Sequence, residues 1–142
     1  MNNGIIEFEK LILECFGINV PVRPAHLKDN NAGCYDVKTK VIYINAFYDF
    51  KTHDEVVRTL IHEGRHAWQD KYGLTDILPW HHHSKGFELY YNSYIERDAR
   101  WASMFYEEGM NLDCVSPVLE EGMRRHALLS ELMDLPRPVW EE

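Results

Sequence analysis

Apolar positions recur along this chain with two different spacings, and the spacing predicts the type of element. From Ile5 to Phe16 they recur every three or four residues, which predicts an amphipathic helix that Gly17 can close. Two short strand-like runs, Cys34–Asp36 and Val41–Asn45, flank the polar turn Val37–Lys40. These runs predict an antiparallel β-hairpin, of which the second strand has the stronger β composition.

A helix start is predicted immediately after the hairpin. Thr52 and Glu55 have the spacing of a capping box, in which the hydroxyl accepts from the backbone N–H at Glu55 while the carboxylate reaches back. Apolar residues on one side of the following segment supply a buried face, and Gly73 gives a plausible stop. This helix is expected to carry the chemistry of the chain.

Two more helices are predicted in the C-terminal half. Leu74 to Lys85 is expected to be a loop, and a second long helix is expected from about Gly86 to Glu108. Ser116-Pro117 has the N-cap and first-turn residues of a last helix, which Pro136 ends. These patterns predict one domain over residues 1–142. Its expected class is α+β: mostly helical, with a small antiparallel hairpin before the helix from Thr52.

The candidate chemistry lies on that helix. His62 and His66 are four residues apart, so their imidazoles project from one face about one turn apart, as needed to hold one ion. Glu63 lies about 100° round the helix from His62, close enough to touch a metal-bound water and displaced from direct ligation. It is the candidate general base. A hydrolytic zinc site needs a third protein ligand and one open position.

Three sources of that third ligand are open from the residues alone: Glu96, the cluster His81–His83, and an acid near the helix end such as Asp70. Glu96 lies on the second long helix, which can double back through the Leu74 to Lys85 loop. Small or polar residues at helical offsets from Glu96 give that helix a stripe that suits a metal site.

The motifs resemble the small gluzincin metallopeptidases, especially the compact ImmA/IrrE-like proteins of phages and mobile elements. The similarity covers roughly Gly33 to Ala102 and rests on the hairpin, His62-Glu63-Gly64-Arg65-His66 and Glu96-Arg97-Asp98-Ala99. It implies a zincin-like fold in which His62, His66 and Glu96 bind Zn²⁺ and Glu63 is the base. The larger thermolysin-type gluzincins have an acid four residues after the ligand Glu. This chain has Arg100 there, so Asp98 or Asp70 would have to orient a ligand if a carboxylate is needed.

The resemblance also implies a reaction, which is the hydrolysis of a protein or peptide. Zinc lowers the pKa of its bound water to about 7 and polarises the scissile carbonyl, while Glu63 accepts the water proton and returns it to the leaving amine. Val41–Asn45 is the expected edge strand for a substrate peptide. Tyr90, Tyr91 and His81–His83 are open alternatives for an oxyanion donor. The alternative function keeps the metal but makes the chain a non-catalytic or latent binding module.

The composition argues against some classes of binding partner. A formal net charge of −8 argues against nucleic acid and anionic membranes, because both require clustered Lys and Arg. The N-terminus has no secretion-signal pattern and no stretch approaches membrane-spanning length, which predicts no membrane anchor. Three dispersed cysteines without a C-x-x-C pair predict neither disulfides nor a thiolate zinc site, and suit a reducing cytoplasm.

Overall fold

The fold combines a small sheet with helices that cover one of its faces, and it confirms the predicted α+β, mostly helical class. The computed structural model describes residues 3–78, 93–107 and 110–133. Its elements are α1 (Asn3–Phe16), β1 (Val22–Ala25), β2 (Gly33–Asp36), β3 (Val41–Asn45), α2 (His53–Lys71), α3 (Leu74–Ile77), α4 (Tyr94–Phe105) and α5 (Pro117–Met133). None of the helices in these ranges combines the length and apolarity needed to cross a bilayer.

The predicted hairpin is confirmed, and a third strand joins it. β2 and β3 pair antiparallel, with Cys34 opposite Tyr43 and Asp36 opposite Val41. β1 pairs parallel to β3 on its other side, so the strand order is β1-β3-β2 and the sheet is mixed. The hairpin pattern does not predict this strand, which contains Pro24; proline is tolerated in β1 because this is an edge strand.

This strand order contradicts the prediction that a substrate peptide adds to an open edge of Val41–Asn45. Val41–Asn45 is the central strand and pairs on both sides, so it offers no open edge, and that prediction is wrong. The outer edge of β1 is blocked, since the Val22 N–H donates to Glu9 Oε2 at 2.8 Å and Pro24 has no N–H to donate. Within the described ranges, only the outer edge of β2 remains open for strand addition.

Helix α2 begins where the capping box predicted. The Thr52 hydroxyl accepts from the Glu55 N–H at 3.2 Å, and the Glu55 carboxylate accepts from the Lys51 N–H, one residue before the cap. The helix ends at Lys71, and Gly73 follows in the left-handed region with φ 71°. It packs against α1, α4, β2 and β3, so α2 lies at the centre of the fold.

The start of α4 differs from the prediction. Ser93 is extended, with ψ 152°, and its hydroxyl accepts from the Glu96 N–H at 3.3 Å, so Ser93 is an N-cap and the helix begins at Tyr94. A continuous helix from Gly86 is therefore wrong at Ser93. Residues 86–92 lie outside the described residues, and the helix ends at Phe105, three residues before the predicted end.

Other predicted boundaries have mixed outcomes. α1 ends at Phe16 with Gly17 at φ 68°, and Ser116 caps α5 by accepting from the Leu119 N–H at 3.1 Å, both as predicted. The predicted loop from Leu74 begins instead with the short helix α3, and its remainder after Leu78 lies outside the described residues. Pro136, the predicted end of the last helix, also lies outside them.

The core lies between α1, α2, α4 and the inner face of the sheet. Its fully buried members include Ile12, Phe16, Ile42, Leu60, Ile61, Ile95 and Ala102. Gly64 lets α1 approach α2 closely, because a Cβ added there would lie 2.5 Å from Ile12 Cδ1. The contact at Gly64 thus holds the middle of the His-Glu-Gly-Arg-His segment against the core, and the two histidines project on the side toward α4.

Candidate metal centre

Three predicted ligands converge where α2 meets the first turn of α4. His62 and His66 lie one helical turn apart, with imidazole centroids separated by 4.9 Å. Glu96 lies between them: its Oε1 is 3.0 Å from His62 Nε2 and its Oε2 is 2.7 Å from His66 Nε2. One ligand atom from each residue can be chosen so that all three lie within 4.8 Å of one another. The Ser93 cap helps to set this geometry because it fixes where α4 begins.

The donor set fits a zinc ion. Imidazole nitrogens and a carboxylate oxygen are ligands that zinc accepts, and donors at 2.0–2.2 Å in a tetrahedron lie roughly 3.3–3.6 Å apart. The contacts of Glu96 with the two histidines, at 3.0 and 2.7 Å, are hydrogen-bond distances and are shorter than that spacing, so the three side chains would have to move slightly apart around an ion. Glu96 Oε2 is buried and lies 2.7 Å from His66 Nε2, so the fold directs a desolvated acceptor at the ring nitrogen that would also bind an ion.

Burial is uneven across the three side chains, and this gives the site an accessible side. His66 and Glu96 are 3% and 2% exposed, whereas the His62 side chain is 20% exposed. An ion held here would be enclosed by His66 and Glu96 and reached past His62. Such an arrangement suits a site that keeps one coordination position for water or substrate, as hydrolytic zinc sites do.

The electrostatics of the site favour a charged carboxylate. Burial alone would raise the pKa of Glu96, but contacts with His62 and His66 outweigh it and hold that pKa well below its usual range. Burial likewise acts to lower the pKa of His66, and the contacts with Glu96 and the charge of Glu63 raise it to about 9. In the absence of metal, Glu96 is therefore a carboxylate and His66 an imidazolium. A metal ion that binds His66 would have to displace a proton from its ring.

Glu63 lies beside the ligand set and outside it. Its side chain packs against β2, where a Cβ added to Gly33 would lie 3.3 Å from Glu63 Cγ and 2.8 Å from Thr59 Cγ2. Burial first, and then the charges of Glu63 and Asp36, raise the pKa of the Cys34 thiol. Glu63 therefore lies against β2 at Gly33, and the missing Cβ of Gly33 is what permits this close approach.

Two other predicted acids have partners of their own: Asp98, predicted as a carboxylate that orients a ligand, and Asp70, predicted as an alternative ligand or orienting carboxylate. Asp98 is fully buried and accepts four hydrogen bonds from side chains, so its carboxylate has no lone pair left for a metal. Asp70 accepts from Tyr35 Oη at 2.6 Å and from Lys40 Nζ at 2.6 Å, which ties the hairpin to the end of α2. The other candidates, His81–His83, Tyr90 and Tyr91, lie outside the described residues.

Sequence reasoning missed the residues that support His66. Gln69 Oε1 lies 2.8 Å from His66 Nδ1, and the Gln69 amide also reaches α4. Arg65, which the metal motif leaves unspecified, is fully buried and pairs with Asp98 at 2.7 Å. The available signal for Gln69 was its three-residue offset from His66, which puts both on one helix face. No local signal pointed to the burial of Arg65.

Comparisons with known proteins identify no relative of this chain. Neither protein-family models, nor curated proteins, nor solved structures gave a match to this chain. The chemistry of this candidate site must therefore be inferred from its own residues.

Proposed function

We propose that this chain is a zinc-dependent metallopeptidase in which His62, His66 and Glu96 hold the metal and Glu63 is the general base. The convergence of the three donors on one point, with a buried carboxylate oxygen among them, carries the proposal. Two imidazoles and one carboxylate are a ligand set of hydrolytic zinc sites, which leave a fourth position open. The uneven burial of the ligands supports an open position on the His62 side.

The chain's own residues provide the proton transfers. Bound zinc supplies a Lewis acid that polarises a carbonyl and makes water acidic near neutral pH. Glu63 follows His62 directly on the helix, and its carboxylate takes the proton of the attacking water and delivers it to the leaving amine. The burial of His66 and Glu96 excludes bulk water from the inner side of the reaction site, which strengthens electrostatic interactions there.

A peptide substrate is proposed to add to the outer edge of β2 instead of the predicted β3. Asn45 N–H donates to Ala32 O at 2.9 Å and Lys40 N–H to Asp36 O at 2.8 Å, so the even-numbered residues face β3. The backbone groups of Gly33 and Tyr35 therefore face outward. An extended peptide paired there would pass Glu63, which packs on Gly33. We propose a cytoplasmic protein or peptide as substrate, since all three cysteines are free thiols.

Metal content tests the ligand set. Purified protein dialysed against zinc is expected to retain about one equivalent, and His62→Ala and Glu96→Ala are expected to lose it. His53→Ala is the matched control, because His53 is exposed on the same helix and is not part of the ligand group. Zinc retention by His62→Ala and Glu96→Ala equal to that of the control would overturn the site.

Hydrolysis tests the role of Glu63 and separates a peptidase from a non-catalytic metal module. A complex peptide library is incubated with zinc-loaded protein, and new N-termini are identified by mass spectrometry. Glu63→Gln is expected to keep zinc and abolish cleavage, whereas Glu55→Gln, two turns earlier on α2, is expected to keep both. Zinc-loaded wild type that cleaves nothing, or Glu63→Gln that cleaves like wild type, would overturn the proposed peptidase.

A further inference from the structure

A buried amide connects the metal centre to the rest of the fold. Gln69 Oε1 lies 2.8 Å from His66 Nδ1, and Gln69 Nε2 donates to Ile95 O at 3.0 Å and to Asp98 Oδ2 at 2.7 Å. Gln69 is fully buried, so these contacts replace water. The amide therefore spans from a candidate ligand on α2 to the backbone and a carboxylate on α4.

The two partners on α4 leave the amide one orientation. Ile95 O and the Asp98 carboxylate are acceptors only, so they require the NH2 group of Gln69. Rotating the amide by 180° would place its oxygen against these acceptors and leave buried groups unsatisfied, which is costly. The oxygen of Gln69 is thereby directed at His66, and an oxygen at this position can only accept the proton of His66 Nδ1.

Asp98 is itself held in place by Arg65. Arg65 Nε donates to Asp98 Oδ2 at 2.7 Å and one terminal nitrogen donates to Oδ1 at 3.1 Å, while Ser116 Oγ also donates to Oδ1. The guanidinium further donates to Leu112 O at 2.6 Å and Cys114 O at 2.8 Å. The fork geometry of arginine makes this pair rigid, so Asp98 presents Oδ2 to Gln69 from a fixed position.

We propose that Gln69 is a positioning residue of the metal centre, which orients the His66 ring and keeps the proton on Nδ1 so that Nε2 presents its lone pair. This inference rests on the proposed metal function. The neutral imidazole binds metal through one nitrogen, and the hydrogen bond at the other nitrogen decides which one. Asp98 and Arg65 act through Gln69, because neither touches His66 in the described contacts.

The experiment compares two substitutions at one position. Gln69→Met keeps length and volume and removes the amide. Gln69→Glu keeps an acceptor toward His66, and when protonated it also keeps a donor toward Asp98. Asp70→Asn is the matched control. Asp70 is the next residue on α2, and its hydrogen bonds go to Tyr35 and Lys40 of the hairpin and not to His66. Zinc affinity is measured by competition with a chromophoric chelator in folded samples.

Gln69→Met is expected to weaken zinc binding about 10–100-fold, as loss of a group that orients a ligand does. Gln69→Glu is expected to bind zinc more tightly than Gln69→Met, and Asp70→Asn like wild type. Equal zinc affinity in wild type and Gln69→Met would overturn the inference. Equal losses in Gln69→Met and Gln69→Glu would also overturn it, because the loss would then come from packing and not from the acceptor.

A second readout is independent of whether Gln69→Met folds. In a long-range ¹H–¹⁵N spectrum of the zinc-loaded wild type, His66 is expected to carry a slowly exchanging proton on Nδ1 and to bind through Nε2. A proton on Nε2, or fast exchange at Nδ1, would overturn the inference while one bound zinc still supports the proposed function. Wild type that binds no zinc would overturn the proposed metal function itself.

Discussion

The buried pair of Arg65 and Asp98 makes a stability prediction that the geometry allows us to work out. Both side chains are 0% exposed, and Asp98 accepts four hydrogen bonds. Asp98→Asn keeps the size of the side chain, removes its charge and turns one acceptor into a donor. That donor must face Arg65, Ser116 or Gln69, each of which already donates, and Arg65 loses its buried counter-charge.

Removing one partner of a buried ion pair lowers the free energy of unfolding by about 3–5 kcal/mol, because the remaining buried charge is uncompensated. This is a large part of the roughly 5–15 kcal/mol that stabilises a typical domain. Asp54→Asn makes the same chemical change at an exposed pair on α2, where Asp54 and Arg58 side chains are 65% and 44% exposed. Pairs of that kind contribute about 0–1 kcal/mol.

Urea denaturation in the presence of a chelator measures both variants without a metal contribution. With a slope of about 2 kcal/mol per M, the midpoint for Asp98→Asn is expected to fall by about 2 M and that for Asp54→Asn by less than about 0.5 M. Equal midpoints for the two variants would show that the buried pair contributes no more to stability than the exposed one. Replacing both partners, as Arg65→Met with Asp98→Leu, is expected to recover stability relative to Asp98→Leu alone, because no buried charge is left behind.

Two further predictions concern the candidate metal centre and the neighbouring strand β2. The pKa of His66 in the metal-free protein is about 9, because contacts with Glu96 outweigh burial. A pKa raised in the folded state stabilises the fold fully at pH values below the unfolded-state pKa of about 6.5, and this stabilisation is lost as the pH rises through the folded-state pKa. Unfolding free energy in chelator is therefore expected to fall as pH rises from about 6.5 through about 9, and a His66→Ala curve of identical slope would contradict this. Gly33→Ala puts a Cβ 2.8 Å from Thr59 Cγ2 and is expected to cost about 1–3 kcal/mol in thermal or urea denaturation. Thr59→Ser removes that methyl group, so failure of the double variant to recover stability would argue against the steric cause.

Local sequence was informative where short-range geometry decides the outcome. The capping box at Thr52 and the one-turn spacing of His62 and His66 follow from helix geometry alone, and the structure has both. The start of α4 was predicted wrongly although its signal is also local. The apolar spacing of the segment from Gly86 continues past Ser93 and predicts one helix, whereas the Ser93 hydroxyl caps a new one.

The order of the strands depended on contacts distant in sequence. A hairpin pattern predicts that β2 pairs with β3, but nothing in the residues of β3 shows that β1 occupies its other side. The position of β1 follows from tertiary contacts, such as the bond from the Val22 N–H to Glu9 on α1. The open edge could not be assigned until all three strands were placed, and the prediction of Val41–Asn45 failed for that reason.

Helix geometry identifies His62 and His66 as a candidate ligand pair without any tertiary information, because a helix places residues four apart on one face and imidazoles supply the donors. The distant acid that meets them is selected by the packing of α2 against α4: Glu96 reaches both histidines, while Asp70 pairs with Tyr35 and Lys40. The same packing buries Arg65 and lets Gln69 join His66 to Asp98. These outcomes depend on how α2 packs against α4, since burial and long-range pairing are properties of the packed helices and not of either helix alone.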